Sequence, residues 1–118
     1  MLIPFSWYLR FFVTEIIREK ILLYYQKEIP YAVEVVVELF KEDDELIHIK
    51  ALIIVERDTQ KGIIIGHQGQ ALKKVGAMAR KDIERFFGKK VFLEMFVKVE
   101  KDWRNRDNIL KNFGYQLD

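Results

Sequence analysis

An α+β fold, with one three-stranded sheet carrying helices on its apolar face, follows from three features of the sequence. Apolar residues recur at helical spacing near the N-terminus. The period then switches to two over two successive segments. Finally, a pair of glycines separates a short helical stretch from a long one, which leads into a third alternating run.

Phe12, Val13, Ile16, Ile17, Ile21 and Tyr24 recur with Glu15, Arg18 and Glu19 between them, which predicts a helix from near Leu9 to near Gln26, closed by Pro30. Val33, Val35, Val37 and Leu39 alternate with Glu34, Val36 and Glu38, the pattern of a half-buried strand. The run Lys41-Glu42-Asp43-Asp44-Glu45 is a hairpin connection, and Ile47, Ile49, Ala51, Ile53 and Val55 form a second, antiparallel strand. Asp58 or Thr59 can cap a short helix that runs to about Ile65. In the longer helix that follows the glycines, Leu72, Val75, Gly76, Ala79, Ile83, Phe86 and Phe87 mark one apolar stripe. Gly88 suits its C′ position, and Lys89 and Lys90 suit its negative dipole end. Val91, Leu93, Met95, Val97 and Val99 make a third strand, which the two intervening helices allow to lie parallel to the second. Asn105 to Phe113 reads as a closing helix ended by Gly114. The expected order is α-β-β-α-α-β-α, with residues 1–8 an N-terminal extension and residues 9–118 one domain.

The chain has 118 residues, 50% hydrophobic and 32% charged, enough for a single buried core. It has no cysteine, which excludes disulfide frameworks and thiolate metal sites and makes a reducing cytoplasm the expected compartment. With only His48 and His67 as histidines, no metal site is expected. Runs such as Ala51 to Val55 are far shorter than a membrane span. The net charge of +2 hides an uneven distribution. Arg57 to Lys90 holds nine basic and three acidic residues, a balance of +6, whereas Glu28 to Leu46 holds seven acidic residues and one lysine, a balance of −6. Such a chain either offers one face to a polyanion or carries two solvated faces without a partner.

The segment Ile64-Ile65-Gly66-His67-Gln68-Gly69-Gln70-Ala71-Leu72-Lys73 joins two glycines to a short helix behind and a basic helix ahead. The glycines allow a sharp turn and close approach of backbone N–H groups to a sugar-phosphate chain, and the following helix adds a positive dipole end. Taken alone, the two glycines could also be ordinary turn residues. The spacing Gly62 to Gly66, with no Gly-Lys-Ser/Thr after it, excludes a Walker loop. A helix rather than a strand before the glycines excludes a dinucleotide loop.

This arrangement resembles a type II KH domain, whose loop clamps the backbone of about four nucleotides. Further motifs narrow the resemblance: Ile16 to Ile21, Glu28-Ile29-Pro30-Tyr31, Gln60 to Gly66, Val75 to Arg80, Val97-Lys98-Val99 with Trp103, and Phe113-Gly114-Tyr115. Together they resemble the C-terminal domain of the Era family of ribosome-assembly GTPases, over nearly all of Phe11 to Leu117. The resemblance implies binding of single-stranded RNA, at the 3′ end of small-subunit ribosomal RNA on the small ribosomal subunit, with no DNA specificity. It also implies that GTP and Mg belong to an N-terminal domain that this chain lacks, leaving it without cofactor or catalytic residues. Gly66 and Gly69 would shape the clamp, His67 and Gln68 would face the backbone, and Ile64 and Ile65 would form an apolar platform under the bases. Arg57, Lys61, Lys73, Lys74 and Arg80 would supply positive charge. The chain departs from the family at His67-Gln68, where Lys or Arg is common, and at Met1 to Leu9, which does not resemble the family's linker.

His48 reads as a sheet histidine, and Trp103 and Tyr115 as core packing. Gly76 reads as a point of close approach between the helix and its neighbours, and Glu42 to Glu45 as a solvated turn. A competing function is docking of a GTPase domain or ribosomal protein. A weaker one is peripheral association with the inner membrane through Trp7, Tyr8, Leu9, Phe11 and Phe12 beside Arg10. With no phosphate loop of the P-loop type and no nucleophile-base pair, the chain alone is expected neither to bind nor to hydrolyse GTP. Saturable GTP binding in calorimetry would refute that expectation.

Overall fold

The first helix, α1, runs Phe5–Tyr24. It begins four residues before the expected Leu9, because Pro4 takes the cap position and its carbonyl receives the Trp7 N–H at 3.0 Å. The computed structural model describes residues 4–25, 29 and 32–101. The expected closing helix over residues 105–113, with Trp103 and Tyr115, lies outside them. Strand β1 is Glu34–Glu42, β2 is Leu46–Val55, helix α2 is Asp58–Ile65, α3 is Gln70–Phe87 and β3 is Lys90–Val99. Among the described residues the order is α-β-β-α-α-β, with a sheet ordered β1-β2-β3. β1 pairs antiparallel to β2, and β2 pairs parallel to β3, as the crossover through two helices predicts. Among these residues no helix is long and apolar enough to cross a membrane.

One face of the sheet carries the core. Val35 and Val37, Ile47, Ile49, Ala51, Ile53 and Val55, and Val91 pack there against Val13, Ile17 and Ile21 of α1 and Val75, Ala79 and Ile83 of α3. Each fully buried Ile or Val contributes about 1.5–3 kcal/mol, whereas exposed pairs such as Arg85–Asp82 contribute about 0–1 kcal/mol. Burial therefore decides the fold.

Several details differ from the expected pattern. Phe12 and Phe86, expected on the apolar stripes of α1 and α3, are exposed, their rings 5.2 Å apart outside the core. The alternation of β1 breaks between Val37 and Leu39, where the register shifts. A bulge turns Phe40 toward the core, where its ring lies 5.6 Å from that of Phe87, and removes Leu39 from the core row. At the end of α1 the core residue is Tyr25, not Tyr24, which is exposed. The helix stops at Tyr24, so the helical period no longer governs the next side chain.

Tyr25 and Glu84 act as staples. The buried Tyr25 hydroxyl donates to the carbonyl of Ile64, near the end of α2, where helical carbonyls lack partners of their own. Glu84 accepts from the Val91 N–H at 2.9 Å and from Arg80 at 3.0 Å, tying the end of α3 to the start of β3. At the start of α2 the helix is closed by Gln60, whose side chain accepts from the Glu56 and Arg57 N–H groups at 3.0 and 2.9 Å, rather than by Asp58 or Thr59.

Both staples make the stability of the fold depend on pH. Burial, assisted by the neighbouring Tyr24, pushes the Tyr25 phenol from its ordinary 10 up to about 12. The neutral phenol therefore stabilises the fold fully below pH 10, and that contribution disappears as the pH rises through about 12. Tyr25→Phe should cost about 1–2 kcal/mol in denaturant unfolding at neutral pH, and should remove this alkaline loss. On the acid side, the Val91 N–H, with Arg80 assisting, holds the Glu84 carboxyl below its ordinary range. Stability should therefore fall as the pH drops through that depressed value, and Glu84→Gln should flatten the decline measured by thermal unfolding.

Candidate nucleic-acid interface

Gly66 to Gly69 reverse the chain between α2 and α3. Gly66 lies at φ +76° and ψ −178°, a region open essentially to glycine alone. A Cβ placed there would lie 2.6 Å from the Ala71 Cβ. Gly69 has φ +77° with open space around it, so it requires glycine for its backbone conformation only. Between them His67 and Gln68 are exposed. Gln68 also adopts a left-handed conformation, φ 54° and ψ 29°, at a cost of about 1 kcal/mol or more for a residue with a Cβ. A single 3-10 turn spans His67–Gly69, and the Gly69 N–H donates to the Gly66 carbonyl at 3.2 Å. Helix α3 then starts without a side-chain cap; its first amide, at Gln70, donates to the His67 carbonyl, and the positive end of its dipole faces the loop.

Helix α3 presents two different faces. Val75, Ala79 and Ile83 are buried. About 100° around the helix, Leu72, Gly76 and Arg80 form a second row, flanked by Gly69, Lys73 and Ala77. With Leu93 and Met95 of β3 they line a groove of about 470 Å³. β3 is an edge strand, so part of its main-chain hydrogen-bonding capacity faces away from the sheet. Arg80 is oriented by Glu84 at 3.0 Å.

The structure thus brings Gly69, Lys73 and Arg80 together at the groove, which Gly69 joins to the loop. Lys61 stands on α2, one turn before the loop. Arg57 precedes α2 and lines a separate depression with Glu56, Asp58 and Lys101, about 12 Å of helix from the loop. Lys74 is directed toward α1, its Nζ 6.0 Å from the centre of the Tyr24 ring. Ile64 is fully buried in the core, so it supports the loop from beneath, and of the expected apolar platform only Ile65 keeps surface.

Sequence reasoning missed Leu72, Ala77, Leu93 and Met95 as groove residues, and it misread Gly76. A Cβ on Gly76 would meet only the Met95 Sδ, at 3.9 Å, an ordinary contact. Close packing therefore does not require this glycine, although it costs about 1 kcal/mol relative to alanine inside a helix. The available signal was the recurrence of positions 69, 72, 73, 76, 77 and 80, a stripe adjacent to the buried one.

Other candidates fall elsewhere. His48 Nε2 lies 2.6 Å from Glu94 Oε1 and its ring 5.0 Å from that of Phe92, a partnered sheet histidine. In the acidic turn, the Asp43 carboxylate accepts from the Glu45 and Leu46 N–H groups, which hold it below its ordinary range. Among the described residues no cluster of His, Asp and Glu is placed to hold a metal ion. Trp7, Tyr8, Phe11 and Phe12 are exposed on α1, and Arg10 donates to the Val37 carbonyl at 2.8 Å.

The KH domain family matches residues 28–104. Among solved structures, Era in complex with MgGDPNP and nucleotides 1506–1542 of 16S ribosomal RNA is similar at a TM-score of 0.84 and 40% identity, covering 98% of this chain and 38% of that one. A variant of Aquifex aeolicus Era bound to GDP and AlF4− is similar at 0.83 and 39% identity, covering 99% and 38%. The chain therefore spans 38% of the length of these relatives. The family match extends from before β1 to beyond β3 and takes in the two-glycine loop and both walls of the groove; the chain belongs to the KH domain family.

Proposed function

We propose that this domain binds a short stretch of single-stranded RNA in the groove between α3 and β3, and that its target is the 3′ end of small-subunit ribosomal RNA. The observation that carries this is a largely apolar groove lined by Gly69 of the two-glycine loop together with Lys73 and Arg80. Phosphates suit the positive end of α3, while unstacked bases suit Leu72, Leu93 and Met95. Lys73 and Arg80 add charge along the groove. Similarity to Era, which in one solved structure is bound to nucleotides 1506–1542 of 16S ribosomal RNA, supports the choice of target. The domain is a non-catalytic module that needs no cofactor and works on the small ribosomal subunit in the cytoplasm, without DNA specificity.

A second reading has its own observation. Trp7, Tyr8, Phe11 and Phe12 are exposed on α1, with Phe86 5.2 Å from Phe12, an apolar patch away from the groove. It fits contact with a further protein domain, and liposome flotation distinguishes that contact from peripheral association with a membrane.

Two measurements test the RNA reading. For three or four phosphate contacts, the log-log slope of single-strand affinity against salt should be about −2 to −3; a flat slope, or preference for a duplex of equal length, refutes it. Replacing His67 and Gln68 together by Asp places two negative charges at the loop, in a backbone that Asp tolerates in the left-handed region. Affinity should fall at least about tenfold, while folding stability moves by no more than about 0.5 kcal/mol. Parent-like RNA affinity in this variant removes the clamp assignment.

A further inference from the structure

Helix α1 carries a second stripe on the side away from the core. Phe5, Tyr8, Phe12, Glu15, Glu19 and Leu22 recur at alternating intervals of three and four, the spacing of a helix–helix seam, and all six are exposed. They lie opposite Val13, Ile17 and Ile21, which enter the core. The first half of this seam is aromatic. With Trp7 and Phe11 beside it and Phe86 of α3 5.2 Å from Phe12, it forms a patch whose six aromatic side chains are each between 42% and 74% exposed. At about 150–250 Å² for a whole aromatic side chain, the exposed part is roughly 600 Å², the upper end of what a monomer ordinarily shows to water.

Charge selects the occupant. Between Phe5 and Thr14 the one charged residue is Arg10, whose guanidinium donates to the Val37 carbonyl at 2.8 Å, and the seam then continues into Glu15 and Glu19. An anionic lipid surface or a nucleic acid requires cations at such a place and would meet carboxylates instead. A second α1 running antiparallel suits the same charges. The N-terminus of α1 has no side-chain cap and no acidic residue in its first turn, so its positive dipole end is uncompensated. With Tyr8 set against the partner's Phe12, that N-terminus stands beside the partner's Glu15. A parallel pair would set each Glu15 against its own copy, which repels.

We propose that this aromatic patch is the interface of a homodimer, in which the outer seam of α1 pairs antiparallel with the same seam of a second copy about a two-fold axis between Tyr8 and Phe12. The two patches together cover about 1,200 Å², the lower edge of stable interfaces, so the dimer dissociates on dilution. Phe86 lies in the last turn of α3, at the end away from the Gly66–Gly69 loop. Pairing therefore leaves both grooves open, and dimerisation is independent of RNA binding.

Sedimentation of the 118-residue chain should show a mass that rises from that of one chain to that of two as the concentration goes from micromolar to millimolar. Tyr8→Glu should stay monomeric over the same range, with a melting temperature within about 3 °C of the parent, because the side chain it replaces is exposed. Glu15→Lys should raise the dimer dissociation constant about tenfold, since it places a positive charge at the partner's helix N-terminus. On vesicles of phosphatidylcholine and phosphatidylglycerol the same change would strengthen binding if a membrane were the partner. A nitroxide on Leu22→Cys, in a chain that has no cysteine of its own, should lie about 36 Å along the helix axis from its copy. A single-chain mass throughout, a dimer that Tyr8→Glu leaves intact or Glu15→Lys strengthens, or a nitroxide separation below about 20 Å overturns the proposal. Flotation of a monomeric parent with those vesicles overturns it in favour of a membrane. Tyr8→Glu should bind single-stranded RNA as the parent does at concentrations where both are monomeric; loss of binding there would place the patch in the RNA site and overturn the dimer. A parent that dimerises but binds no RNA overturns the RNA-binding reading alone.

Discussion

No side chain fits at position 66, and the rest of the site depends on that constraint. A Cβ there would lie 2.6 Å from the Ala71 Cβ and 3.0 Å from its amide nitrogen, so the first turn of α3 rests directly on the backbone that ends α2. The end of α2 has its acceptors engaged: the Gly66 N–H donates to the Gly62 carbonyl at 2.9 Å, and the Tyr25 hydroxyl donates to that of Ile64. The start of α3 has no side-chain cap. The turn itself uses the Gly69 and Gln70 N–H groups, on the Gly66 and His67 carbonyls, so what the junction offers an anion is the positive end of the α3 dipole. Tyr25 and Ile64 are buried, so this junction is fixed by the core rather than by the loop's own short side chains.

Such a site opposes stability, and the sheet offsets it. The left-handed Gln68 and the mid-helix Gly76 each cost about 1 kcal/mol, a sizeable part of the 5–15 kcal/mol typical of a domain. Ion pairs cannot supply the difference. In Arg85–Asp82 and Lys98–Glu100 the basic partner is exposed to solvent, which makes the pairs weak. The isoleucines and valines of β2, fully buried from Ile53 to Val55, can. β2 is the central strand, paired along both edges, and the full burial of Ile53, Ile54 and Val55 shows that both faces of its end are covered.

The sheet, its parallel and antiparallel pairings, the α3 terminus at Gly88 and the glycine loop were legible in the sequence, because period and turn chemistry report them directly. Gly88 indeed takes φ 69° at the end of α3. The bulge in β1 was not legible, since Leu39 and Phe40 are equally apolar and only the pairing with β2 decides which one enters the core. The groove was hidden for a different reason. Gly76 and Ala77 give almost no hydrophobic signal, and Leu93 and Met95 fit the core pattern of β3 equally well, so their second role emerges only when α3 is set beside the strand. Ile64 and Ile65 illustrate the limit within a single pair: adjacent and identical, they differ only in which side of α2 meets the core.

Charge along the chain also changes its meaning once folded. Lys89, counted with the basic segment, donates to Glu42 at 2.7 Å and to the Asp43 carbonyl at 2.7 Å, and Arg85 and Arg80 face Asp82 and Glu84. Much of the positive balance at the C-terminal end of α3 is therefore spent inside the molecule, and the acidic turn between β1 and β2 sits at that same end. The loop is at the other end, about 27 Å of helix away, more than three times the screening length of about 8 Å at physiological salt. At that separation the acidic turn does not weaken attraction at the loop, yet it repels any strand that continues along the groove past Arg80. The groove therefore has an electrostatic end, and under the RNA-binding proposal the length of strand engaged would be limited by where the positive charge stops rather than by the length of the helix.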